Sequence, residues 1–355
     1  MVLMGAGAVL VALEGTWGWN IHGHWAFVVF CLVGMLATGF AAFSDIKRKA
    51  YTSFMSHLGF FLVLGAGVMG APDRIENNVR LYPDTPVDNI TLTDFEVEYY
   101  SDLSSPRQFT STLLIDGEQY RTSVNHPCRW KGYRIYQAGY DSDALSFSVL
   151  KLVRDPWLPL AALGAVLMAL SGVMSLGKVW KSWKVLLAVG ALAVGFGVLS
   201  VARIKFGTLT PALRSAWFVP HLGVYMIAYA LMALAVVAGG VSRFSTRVPE
   251  GLSRRLLESS SALLLVGMVC GAFWAQQAWG NYWTWDAKEC WAAVTWLLAL
   301  CAEHIPSKKK SLVFTILAFL AIQITWYGVN YLPASNNSLH TYNQEQSPQI
   351  QGART

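Results

Sequence analysis

Residues 279–296 read WGNYWTWDAKECWAAVTW and hold five of the chain's 15 tryptophans, with Trp274 just before them. The spacing Trp279-Gly280, Trp283, Trp285-Asp286, Glu289 is too polar and broken for the middle of a membrane helix. It lies between two apolar runs, 259–278 and 290–305, and so reads as a loop at a membrane surface. Tryptophan suits that place, with a wide apolar face and one N–H donor for the wet side. An aromatic belt needs one or two such residues per helix end, and this is a slab of them. A slab of indoles with acidic residues beside it could hold a large, flat, apolar ligand.

The extended stretch WAQQAWGNYWTWDAKECWAAVTWLL resembles the tryptophan-rich "WWD" signature of the membrane heme-handling proteins of cytochrome c maturation. It is most similar to the CcsA/ResC half of the bacterial System II cytochrome c synthases. The match holds at Trp274, Trp279, Gly280, Trp283, Trp285, Asp286, Glu289, Trp291 and Trp296. Ala287 departs from the pattern, which usually has proline after the aspartate. Two further stretches, SHLGFFLVLGAGVM and VNHPCRWKGYRIYQAGYD, resemble the ResB/CcsB half, one at the helix entering its external domain and one at that domain's end. The resemblance thus implies a fusion of a shortened ResB-like half with a CcsA-like half.

Composition agrees with the membrane reading. The chain has 355 residues, 54% hydrophobic and 14% charged, against about a quarter charged in soluble proteins. The net charge of +6 is scattered over short loops, which is a topology signal and gives no reason to expect nucleic acid. The five cysteines form no Cys-x-x-Cys or Cys-x-x-Cys-His pattern, so the chain is neither a c-type cytochrome nor a thioredoxin-like reductase. Cys128 alone lies in a polar region.

The expected architecture is mainly α: a polytopic helix bundle of about eight full spans plus a partial N-terminal one, with one small external β domain. Residues 1–70 form the N-terminal membrane part, with 1–13 read as the outer end of a helix whose beginning is missing, 14–24 as an external loop, and spans at 25–43 and 54–70. Residues 71–155 form the β domain, with strand signals at Phe95, Val97 and Tyr99, in FTSTLLID, YRIYQAGYD and LSFSVLKLV, and a hairpin cue at Asp116-Gly117. A helix at 156–176 closes the ResB-like half. Residues 177–355 are the CcsA-like domain, with spans at 183–202, 218–240, 259–278, 290–305 and 311–331, the Trp-rich loop 274–296 and an outward tail 332–355. Loops 44–53, 177–184, 241–258 and 306–310 carry three, three, four and three basic residues, whereas 14–24, 203–217, 279–289 and 332–355 carry none, three, one and one. The first set is therefore cytoplasmic. The β domain, Trp loop and tail face outward from the inner membrane.

Topology sorts the seven histidines. His221 and His340 fall at the outer level beside the Trp loop, and His57 and His304 at the inner level. His22, His24 and His126 read as loop residues. Histidine is the common axial ligand of heme iron, and the resemblance assigns the same four. WFVPHLGVYMIAYA and YLPASNNSLHTYN match its external ligand segments, and SHLGFFLVLGAG and LLALCAEHIP its internal ones. Arg203, Lys205 and Arg214 lie on the outer side near His221. They are either a short loop that tolerates charge or a cationic rim for heme propionates. Asp286 and Glu289 either orient a histidine or cap the helix that starts near Ala287.

The resemblance implies a holocytochrome c synthase of the heme lyase type. It would move non-covalent heme b, a transient substrate, from the cytoplasmic side to the Trp-rich site and present it for thioether attachment to the CxxCH of apocytochrome c. Implied partners are heme, apocytochrome c, a thiol-reducing thioredoxin-like protein and membrane lipid. The alternatives are a heme exporter or chaperone without ligation activity, and a quinone-linked membrane heme oxidoreductase subunit.

Overall fold

Long apolar runs leave the backbone no partner but itself, and in this chain they become helices. The computed structural model describes residues 1–101, 105–141, 144–175, 183–201, 209–249 and 251–337. Three helices open the chain: α1 (Val2–Trp17), α2 (Trp25–Arg48) and α3 (Tyr51–Gly70). Seven strands follow: β1 (Ile75–Leu81), β2 (Ile90–Tyr99), β3 (Pro106–Ile115), β4 (Glu118–Ser123), β5 (Cys128–Trp130), β6 (Tyr133–Tyr140) and β7 (Ser148–Arg154). Six more helices complete the fold: α4 (Leu158–Ser175), α5 (Trp183–Val201), α6 (Phe218–Val241), α7 (Leu252–Trp279), α8 (Ala287–His304) and α9 (Lys308–Trp326).

Five helices (α2, α3 with its 3-10 extension to Asp73, α6, α7 and α9) are long and apolar enough to cross a membrane, so the protein is multi-pass. Among the described residues the count of about eight is not reached on that measure. The apolar helices Val2–Trp17, Leu158–Met174 and Leu186–Leu199 are shorter, and α8 carries Lys288, Glu289 and Glu303 within its 18 residues. The run 1–13 extends four residues further than expected, to Trp17, because Glu14 is buried inside α1 at 3% exposure.

The β domain comprises two antiparallel sheets, ordered β1-β7-β6-β5 and β2-β3-β4. Leu81, Leu92, Leu113, Ile115, Ile135 and Leu150 fill the space between them. Asp116 and Gly117 both take positive φ, 51° and 86°, which is the backbone a two-residue hairpin between β3 and β4 requires. The Ser111 hydroxyl donates to Gln137 Oε1 at 2.7 Å, and Gln137 Nε2 donates to Ser148 Oγ at 2.9 Å, tying one sheet to the other through buried polar groups. Burial pushes the Cys128 thiol up to about 11, so it packs as a neutral side chain and not as a redox thiolate.

The β domain is fastened to the CcsA-like half at several points. Tyr100 donates to the Leu209 carbonyl at 2.9 Å, Asn125 to that of Pro211 at 2.7 Å, and Gln276 on α7 to the Tyr136 hydroxyl at 2.6 Å. The helical halves also interlock. A methyl group built on Gly15 of α1 would come 2.6 Å from Cys290 Cβ on α8.

Candidate functional site

The irregular part of the Trp-rich stretch is shorter than expected, because α7 runs to Trp279 and α8 starts at Ala287. Gly280 ends α7 in the left-handed region (φ 81°) and lies against the β domain, where an added Cβ would meet the Tyr136 ring at 3.0 Å. Only glycine satisfies both demands. Asp286 is the N-cap of α8 and accepts from the Glu289 N–H at 2.9 Å. Glu289 accepts from the Thr284 N–H at 2.6 Å and from its hydroxyl at 3.1 Å. Both acids therefore serve the helix start. Ala287 occupies the first helical position, where proline is also tolerated, so that departure from the family pattern leaves the geometry intact.

The tryptophans form two groups on the β-domain side. In the first, Trp274 is 2% exposed, donates to the Ala212 carbonyl at 2.8 Å, and lies 5.2 Å from Trp279 and 5.7 Å from the His221 ring. In the second, Trp285 lies edge-on to Trp283 at 6.0 Å and to Phe27 at 5.3 Å. Trp285 has φ 60°, a conformation costing a bulky residue about 1–2 kcal/mol. Trp291 packs beneath α1 beside Gly15, and its buried indole N–H has no hydrogen-bond partner among the described residues.

His221, in the first turns of α6, donates Nδ1–H to the Gly267 carbonyl at 2.8 Å, which leaves the ring lone pair on Nε2. Its ring fits because residue 271 on α7 is glycine: a Cβ there would sit 2.7 Å from His221 Cε1. His57, near the start of α3 and far along that helix from the β domain, has Nδ1 2.6 Å from Asp45 Oδ2 on α2. His304 ends α8 at the same end of the bundle, with Nδ1 on the Leu300 carbonyl at 2.8 Å. In each of the three, Nδ1 meets a carbonyl or carboxylate oxygen, which fixes the ring orientation. No hydrogen bond or ring contact joins His57 to His304 among the described residues. Between their helices, Phe60 on α3 lies edge-on to Trp296 on α8, ring centroids 5.7 Å apart.

The sequence reading missed His22. It stacks on Trp285 and its Nδ1 pairs with Glu14, whose other carboxylate oxygen accepts the His22 backbone N–H at 3.1 Å. The available signal was Glu14 itself, a lone acid in an apolar helix. His24 caps α2, accepting from the Ala26 N–H at 3.2 Å, and His126 Nδ1 lies 3.2 Å from the Val124 carbonyl in the β domain. Arg214 donates to the Arg107 carbonyl at 3.2 Å and so ties the loop before α6 to β3. Arg203, Lys205 and His340 lie outside the described residues.

Two family models match the chain: "Cytochrome C assembly protein" over residues 157–335 and "ResB-like family" over residues 16–149. Among similar proteins, the cytochrome c biogenesis protein CcsA of Guillardia theta is 26% identical over 262 residues, covering 59% of this chain and 86% of the relative. That of Parasynechococcus marenigrum strain WH8102 is 30% identical over 215 residues, 46% and 69% of the two chains. That of Synechococcus sp. strain CC9311 is 29% identical over 220 residues, 46% and 71%.

Proposed function

The chain belongs to the cytochrome c assembly protein family, and from that premise we propose that it takes up heme at the end carrying His57 and His304 and presents it at the Trp-rich end for attachment to apocytochrome c. The basic loops make the His57 end cytoplasmic and the β-domain end external. The observation that carries the reading is His221, whose Nε2 lone pair is fixed by the Gly267 carbonyl among Trp274, Trp279 and Tyr225. That donor set fits an axial imidazole in an aromatic wall.

In this mechanism His221 and His340 would be the residues that hold the heme iron. The indoles of Trp274, Trp279, Trp283 and Trp285 exclude water and position the ring, with Trp291 supporting them from beneath α1. Heme supplies two vinyl groups, each taking a thiol S–H across its double bond, sulfur to one carbon and hydrogen to the other, with no net redox change. The histidine of the client CxxCH displaces one protein ligand, and held proximity of thiol and vinyl supplies most of the rate. Asp45 fixes the ring orientation of His57 at the entry site. A thioredoxin-like reductant would keep the client thiols reduced.

The test is purification of the full chain from heme-replete cells, followed by incubation with reduced apocytochrome c. Non-covalent, six-coordinate, low-spin heme b and transfer to a covalent product are expected. A colourless protein, or covalent heme on this chain, contradicts the reading. Heme release without thioether formation favours the chaperone alternative.

A further inference from the structure

Beside the start of α4, the β5–β6 hairpin overhangs a cleft of about 320 Å³ that reaches Pro159 on one side and Gly280 on the other. The hairpin turns at Lys131 and Gly132, both at positive φ, and its strands place Arg129 directly opposite Arg134. Residues paired across an antiparallel ladder share a face, and both arginines line the cleft. Like charges in that relation repel, so the arrangement costs the fold free energy unless an anion lies between them. Neither arginine has a carboxylate within 4.0 Å among the described residues. Arg134 does reach the Tyr136 hydroxyl.

Two other charges at the cleft, Lys131 and Asp155, are paired. Lys131 pairs with Asp116 at 2.7 Å, and Asp155 lies 3.8 Å from Arg74. Arg154 adds a further cation, with Nε 4.0 Å from a methyl group built on Gly132. The local balance is therefore positive, and guanidinium groups are suited to bidentate capture of phosphate.

The level of the cleft is marked by Trp157, a residue type favoured at membrane surfaces, whose indole donates to Asp73 at 2.7 Å where the β domain meets α4. Below Pro159, α4 presents Leu163, Val166, Leu170 and Val173 on one helical face, 51%, 41%, 48% and 54% exposed. Their spacing from residue 159 is 4, 7, 11 and 14, a single stripe along the helix. A cationic pocket thus opens onto an apolar track of acyl-chain character. A soluble anion would have no use for the track, and a neutral lipid would leave the arginine pair uncompensated.

We infer that this cleft seats the phosphate headgroup of an anionic membrane lipid between Arg129 and Arg134, with an acyl chain along the Leu163–Val173 face of α4. The bound lipid bridges the β5–β6 hairpin to the membrane helices beside Gly280, and so braces the β domain against the Trp-rich segment.

The full chain in neutral detergent is titrated with phosphatidylglycerol, phosphatidylcholine or inorganic phosphate, reading bound lipid by native mass spectrometry and the unfolding temperature. Phosphatidylglycerol should bind preferentially and raise the unfolding temperature, and inorganic phosphate should not. Arg129→Gln/Arg134→Gln should lose about fivefold in phosphatidylglycerol affinity per arginine. Its lipid-free unfolding temperature should stay level or rise, because a repulsive pair has gone. Arg129→Gln alone, at an exposed position, gives the same reading should the double variant not fold. Undiminished phosphatidylglycerol binding in the variants overturns the inference. So does equal stabilisation by inorganic phosphate, which would make this a soluble-anion site.

Discussion

The imidazole of His22 stacks on the indole of Trp285, ring centroids 5.2 Å apart and planes within 7° of parallel. The contact joins the first interhelical loop of the ResB-like half to the Trp-rich segment of the CcsA-like half. Its other anchor is Glu14, so a buried acid in α1 fixes an indole some 270 residues away.

Replacing His22 by alanine removes the stack and the side-chain partner of that acid, leaving only the backbone N–H of residue 22 on its other oxygen. A buried acceptor left unpaired costs about 1–3 kcal/mol, and the remaining backbone bond and the partial exposure of His22 place the effect at the low end. His22→Ala should therefore melt earlier in detergent, and Glu14→Gln/His22→Ala should recover most of the loss. Identical melting of His22→Ala and the parent chain would contradict the coupling.

Gly271→Ala should displace His221 without removing it, since the new methyl would meet its ring. Reduced low-spin heme is expected, with the fold retained. Gly223→Ala, on the same helix as His221 but facing open space, should leave the spectrum unchanged. Equal heme in the two variants would argue that His221 is not a ligand.

The two levels of histidine predict an asymmetry. His57→Ala or His304→Ala should deplete heme throughout, whereas His221→Ala should retain some at the inner level yet stop cytochrome c production. Asp45→Asn should weaken heme retention about 10–100-fold, the usual effect of losing a carboxylate behind a ligand. Normal outer loading in His57→Ala, in cells given no external heme, would remove the inner site as an obligatory step.

Asp286→Ala should destabilise the protein by about 1 kcal/mol through loss of the α8 cap, and Asp286→Ser should restore it. Heme content should follow stability through the series. A stable Asp286→Ser protein that fails to hold heme would show a role for the carboxylate beyond capping.

Cys128 should alkylate slowly. Burial raises its thiol to about 11, so the reactive thiolate is scarce below that pH and the rate should rise about tenfold per pH unit towards it. Cys128→Ala should leave cytochrome c production intact. Fast labelling of the folded protein at neutral pH would reverse this assignment.

The helices and the β domain were legible because long apolar runs and period-two alternation each have one physical outcome. β1 escaped notice because its residues are mostly polar and exposed, with only Leu81 buried. Spans were harder to count than helices, since Glu14, Lys288, Glu289 and Glu303 sit inside apolar runs and shorten them on composition alone. His57, His221 and His304 stand out as candidates from topology. Their holders Asp45, Gly267 and Leu300 do not, because two act through backbone carbonyls, which every residue has. His22 looked like an ordinary loop residue because its meaning lies in a contact with residue 285.

The close approach of Gly15 to Cys290, with the Tyr136–Gln276 bond, bears on why the two halves share a polypeptide. Surfaces that fit this well would recognise one another as separate subunits. The covalent link then contributes chiefly stoichiometry, one copy of each half per assembly, and a local concentration on the order of millimolar. Genes encoding the halves apart and genes encoding them joined would thus yield the same machine, and fusion would govern dosage more than architecture.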